Sequence, residues 1–283
     1  MARSKLVFAD VNGQKIAYDK TGEGYPLMLI HGYPETRREW RKVTPALAAR
    51  FTVVAMDQRG YGESSKPAEE AAYDKRSSSQ DALALAKHLG WDKFLLVGHD
   101  RGARVSRRLA ADHPEAINGA LLMDITPMEY VYSHNPGPWH WYFMLQRGLA
   151  DELIGRDPRF YASHMFNRSH RPLDPDDVEH YIQSFCQPGA VEATLADYRT
   201  SYDVDRPRWE AENKNGRKIQ APLYLIWGGN GGQRDVPVLD VWREVAQDVR
   251  GEVVPDCSHW IPEEQPEVTV SHIFRFADEL GLP

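Results

Sequence analysis

Five short, almost wholly apolar runs divide the sequence: Leu27–Ile30, Thr52–Met56, Phe94–Val97, Ala120–Met123 and Leu223–Trp227, each bounded by polar or glycine-containing segments. A strand without polar alternation needs both faces buried, which a parallel sheet covered by helices provides. Helical periodicity fills the intervals at Arg38–Ala49, Ser78–Leu89, Ala103–Asp112 and Val238–Val249. Val7–Val11 and Lys15–Asp19 flank Asn12-Gly13, a turn pair that predicts an antiparallel lead-in. The order predicts an α/β fold with a mostly parallel, doubly wound sheet.

The alternation breaks between Pro127 and Gln220. That stretch is rich in Trp, Tyr, Phe and His, contains no buried strand pattern, and carries a helix-like piece at Asp176–Cys186. It reads as an inserted helical cap over residues 127–220, with the core formed by 1–126 and 221–283. A chain of 283 residues with 42% hydrophobic content suits one large domain with such an insertion and excludes a disordered protein. The net charge of −7 argues against nucleic acid as a partner. Cys186 and Cys257 are too few for a disulfide framework. No run approaches a membrane span and the N-terminus has no apolar signal core, so the expectation is a soluble cytoplasmic protein. The run Gly228–Gly232 lacks the spacing of a phosphate or dinucleotide loop, and no cofactor or metal is expected.

The chemistry concentrates at Gly98-His99-Asp100-Arg101-Gly102, where an apolar run meets a helical one. This is a nucleophile elbow, with a carboxylate where many such turns carry serine. A carboxylate can displace a leaving group from saturated carbon and form an ester, which water must then cleave with help from a base and an oxyanion site. His259, in the loop before the C-terminal helix, is the candidate base. Asp124, directly after the run Ala120–Met123, is preferred over Asp235 as the acid that orients it. Backbone N–H groups of Tyr33, in His31-Gly32-Tyr33-Pro34, and of Arg101 would face the oxyanion. The charges of Asp57-Gln58-Arg59 are read as structural. Arg101 and Arg104, three residues apart, share a helix face beside Asp100 and would clamp a carboxylate. Arg107 and Arg108, a further turn on, are read as surface residues.

With these motifs the sequence resembles the fluoroacetate (haloacetate) dehalogenases of the α/β-hydrolase superfamily along nearly its whole length. The resemblance implies an α/β-hydrolase fold in which Asp100 displaces halide from the α-carbon of a haloacetate, with Arg101 and Arg104 holding the substrate carboxylate. It further implies halide binding by His140, Trp141 and Tyr198, through matches at His140-Trp141 and Asp197-Tyr198-Arg199. A small halocarboxylate and water would be the partners, without nucleic acid, membrane or cofactor, and a homodimer is a family-level expectation. Epoxide hydrolysis is the nearest alternative, sharing Asp100 and His259 and drawing on Tyr198, Tyr202 or Tyr142 as ring-opening acids. A non-catalytic small-acid-binding protein on the same scaffold is the alternative from another class.

Overall fold

The fold was determined as a computed structural model that describes residues 5–134 and 138–283. Among the described residues eight strands form one sheet: β1 (Lys5–Val11), β2 (Gln14–Thr21), β3 (Tyr25–Ile30), β4 (Phe51–Met56), β5 (Phe94–His99), β6 (Ile117–Met123), β7 (Leu223–Gly228) and β8 (Val249–Val254). Their spatial order is β1-β2-β4-β3-β5-β6-β7-β8. β2 runs antiparallel to β1 and β4, and every later pairing is parallel, as expected for runs buried on both faces. One face packs Met28, Ile30, Leu96 and Leu122 against the helices Lys75–His88 and Asp100–Asp112. The other packs Leu29, Val97 and Leu121 against Trp40, Phe51 and the C-terminal helix Pro266–Glu279. β3 lies between β4 and β5, so the chain reverses its direction of sheet growth there. Ligands bind at such switch points, outside the carboxyl ends of the strands.

Between β6 and β7 the described residues form helices and connecting loops. These include Trp139–Met144, Pro175–Phe185 and Ala190–Thr200, which share an aromatic core with Tyr33 and Tyr61 of the sheet domain. The helix expected over Asp176–Cys186 is observed at Pro175–Phe185, capped by Asp174.

Three local expectations are corrected. Arg38–Ala49 is not one helix but a 3₁₀ segment, Arg37–Lys42, followed by a short helix, Thr44–Leu47, with Pro45 in its first turn. The helix expected over Val238–Val249 ends at Val245, and Val249 opens β8. β8 is an edge strand with exposed positions, so it has no continuous apolar run to betray it. Arg107 and Arg108 are buried rather than superficial. Arg107 pairs with Glu129 at 2.6 Å, Arg108 pairs with Glu212 at 3.1 Å, and both guanidinium groups stack on Trp209.

Candidate active site

The elbow forms because glycine stands where any side chain would collide with main chain. A Cβ at Gly102 would fall 2.2 Å from the Ile30 carbonyl oxygen, and one at Gly98 would fall 2.7 Å from that of Gly102. The helix can therefore press onto the strand ends, and Asp100 is held between them at φ +44°. Its Oδ2 accepts the Tyr33 N–H at 3.0 Å. Burial alone would raise the Asp100 carboxyl, but the charges of His259, His99 and Arg101 and the Tyr33 N–H outweigh it and hold the group below the usual carboxylate value. The turn bearing Tyr33 is fixed from behind. Gln58 N donates to His31 Nε2 at 3.1 Å, which leaves Nδ1–H to donate to the Gly32 carbonyl at 2.7 Å. Asp57 and Arg59 are structural, as expected: Asp57 accepts from Arg37 N at 2.7 Å, and Arg59 pairs with Asp81 at 2.6 Å.

His259 and Asp124 meet across the carboxyl end of the sheet. His259 Nδ1 lies 2.5 Å from Asp124 Oδ2, while Asp124 Oδ1 accepts the Gly228 N–H at 3.1 Å. A carboxylate accepts only, so Nδ1 carries a proton, and in the neutral ring Nε2 is then the acceptor. Asp235 is exposed and paired with Arg234, far from this role. The loop bearing His259 is braced by Glu264, whose Oε2 accepts the Ser258 N–H at 2.8 Å. His99 Nε2 donates to the His259 carbonyl at 2.8 Å.

Beneath His99 lies a fully buried group that the sequence reading did not single out. His99 Nδ1 is 3.2 Å from Glu35 and 3.0 Å from Glu39, and Glu39 also accepts the Gly32 N–H at 2.8 Å. Burial lowers the His99 imidazole, but the two glutamates outweigh it and raise it well above its ordinary value. Burial and the neighbouring Glu39 push Glu35 up. Two glutamates four apart after the Tyr33 turn, and a histidine beside the elbow aspartate, were the available signals.

Asp100, Asp124 and His259 open into a cavity of about 520 Å³ whose walls include Tyr33, Arg104, His140, Trp141, Arg168, Tyr198 and Trp260. Burial keeps His140 neutral, its imidazole lowered to about 3, and its Nδ1 has no partner among the described residues. Tyr142 and Tyr202 are absent from the lining and pack on Tyr132.

Of the two arginines expected to form the clamp, Arg104 reaches the cavity and Arg101 does not. Arg101 does not line the cavity: its Nε and Nη2 grip the Asp197 carboxylate, both at 2.8 Å. Arg104 does line it, buried over the Trp141 ring at 4.9 Å, with no ion pair or hydrogen bond among the described residues. Burial and the neighbouring Arg101 lower its guanidinium to about 10. Arg168, also in the wall, had no motif to mark it.

The alpha/beta hydrolase family pattern matches residues 25–266, from β3 to the start of the C-terminal helix. The chain belongs to the alpha/beta hydrolase family. Among these hydrolases it is similar to the soluble epoxide hydrolase of Corynebacterium sp. (strain C12), 31% identical over 95% of each chain. It is likewise similar to the fluoroacetate dehalogenase of Burkholderia sp., 32% identical over 91% of this chain and 88% of that one. Among solved structures, ALR0039 of Nostoc sp. PCC 7120 superimposes with a TM-score of 0.91. It is 38% identical, covering 97% of this chain and 98% of that one. No helix among the described residues is long and apolar enough to cross a membrane.

Proposed function

We propose that this alpha/beta hydrolase is a hydrolytic dehalogenase of small α-halocarboxylates. The observation that carries the reading is Arg104, a buried cation with no ion-pair or hydrogen-bond partner among the described residues, in the wall that holds Asp100. A buried, unpaired guanidinium is costly unless the ligand supplies the anion, and a neutral substrate would leave that cost unmet. With the substrate carboxylate on Arg104, the Asp100 carboxylate attacks the α-carbon, the carbon–halogen bond breaks, and halide leaves as an alkyl ester forms. His140 and Trp141 offer ring N–H groups and Tyr198 a hydroxyl to the departing halide. Neutrality of His140 lets it donate without binding the ion too tightly to release.

In the second half-reaction His259 Nε2 takes a proton from water, and the hydroxide equivalent attacks the ester carbonyl of Asp100. Asp124 holds the imidazole and stabilises its charge. The N–H groups of Tyr33 and Arg101 receive the tetrahedral oxyanion, which collapses to the 2-hydroxy acid and free Asp100. Arg101 contributes its backbone and its field, while its side chain fastens Asp197.

A second reading, epoxide hydrolysis, draws on the Corynebacterium relative. It needs acids to protonate the opening ring, and of the three tyrosines considered for that task only Tyr198 lines the cavity. Halide release from fluoro-, chloro- and bromoacetate, measured beside diol formation from styrene oxide, separates the two. Halide without diol is expected; diol without halide would replace this reading with the second.

A further inference from the structure

The cavity is large for a haloacetate. Its volume of about 520 Å³ lies in the range that encloses drug-sized ligands, whereas a haloacetate is two carbons, a carboxylate and one halogen. Its charge is also specific. Asp124 is bound to His259 and Asp100 is the attacking group, which leaves two lining cations, Arg104 and Arg168. Neither makes an ion pair or hydrogen bond among the described residues. They come from different elements: Arg104 stands one turn after Asp100 on the helix Asp100–Asp112, over the Trp141 ring, whereas Arg168 reaches the wall from the segment between β6 and β7. Arg104 is buried and Arg168 is exposed, just beyond the cap helix Pro158–Phe166.

We propose, resting on the halocarboxylate reading above, that the site takes an α-halo dicarboxylate. One carboxylate sits on Arg104 with the halogenated carbon facing Asp100, and the chain runs past Trp141, Met165 and Trp260 to place the second carboxylate on Arg168. The Asp100 oxygen forms the C–O bond as the C–X bond breaks and X⁻ departs. Water then cleaves the acyl–oxygen bond of the ester, restoring the Asp100 carboxylate. The sum consumes one water and releases a 2-hydroxy dicarboxylate, halide and one proton. Two guanidinium groups offset the dianion that Asp100 would otherwise repel.

Chloride release is measured for chloroacetate and for length-matched pairs, 2-chloroglutarate against 2-chloropentanoate and 2-chloroadipate against 2-chlorohexanoate, in the wild type and in Arg168→Gln. At least one diacid is expected to exceed its matched monoacid in kcat/KM by about tenfold or more. That ratio is expected to fall toward one in Arg168→Gln, an exposed position where folding is not at stake. Diacids no better than monoacids, or a preference that survives Arg168→Gln, would overturn the proposal while chloroacetate turnover keeps the halocarboxylate reading intact. Chloride from none of these acids would sink both.

Discussion

At the residue scale the decisive feature is how each charge near Asp100 is disposed of. Arg101 and Arg104 are three apart on one helix and looked alike in the sequence, yet only Arg104 reaches the cavity, because Asp197 in the cap takes the Arg101 side chain. Local spacing fixes a helix face, but the partner that claims a side chain lies 96 residues away. Asp124 was legible because it follows its strand directly, and Asp235 was weaker because it lies late in its loop. Arg104→Gln removes the charge and the guanidinium fork while keeping a polar side chain. It is expected to reduce kcat/KM for chloroacetate about 10- to 100-fold, mostly through KM, with a smaller effect on any neutral substrate. Equal effects on both would remove the role of Arg104 in binding the carboxylate. His140, lowered to about 3 by burial, should stay neutral throughout pH 5–8. Its ring nitrogen shifts, followed by nitrogen-detected NMR, should then show no titration in that window. A midpoint near the ordinary histidine value would contradict its role as a neutral donor.

At the scale of elements, the helix Ala190–Thr200 is tied to the sheet domain by one carboxylate. Asp197 receives Arg101, the Lys75 ammonium and the Tyr61 hydroxyl, the last at 2.9 Å, all buried. Burial would raise the Asp197 carboxyl, but the Arg101 and Lys75 charges outweigh it and hold it far below the usual carboxylate range. A lowered carboxylate lends stability that is fully present above its unfolded value and is lost as pH falls through the folded one. Asp197→Ala leaves two buried cations uncompensated and is expected to cost about 3–5 kcal/mol at neutral pH, measured by urea unfolding. A loss below ~1 kcal/mol would show that this tie carries little of the cap's attachment.

The elements best read from sequence were the doubly buried strands, whose apolar runs have one explanation. Arg38–Ala49 and β8 failed for opposite reasons: Pro45 interrupts an otherwise helical pattern, and the half-exposed edge strand has no apolar run. The burial of Arg107 and Arg108 was invisible because the tryptophan that covers them, Trp209, comes from the cap.

For the whole molecule, the cap and the sheet share their buried contacts. Arg101 and Lys75 reach Asp197, Arg38 reaches Asp177 at 2.7 Å, and Tyr181 donates to Glu263 at 2.5 Å. Tyr33 and Tyr61 of the sheet domain sit in the cap's own aromatic core. Cap and core are therefore expected to unfold together, with tryptophan fluorescence and far-ultraviolet circular dichroism giving coincident transitions in urea. Separated transitions would show a cap that folds by itself.

The covalent step is open to direct view in the variant His259→Asn, which keeps Asp100 but lacks the base that activates water. Incubated with chloroacetate and examined by intact mass and peptide mapping, this variant is expected to carry one carboxymethyl group, esterified to Asp100, with one chloride released per chain. An unmodified chain beside a wild type that turns the same substrate over, or the group on any other residue, would contradict attack by Asp100.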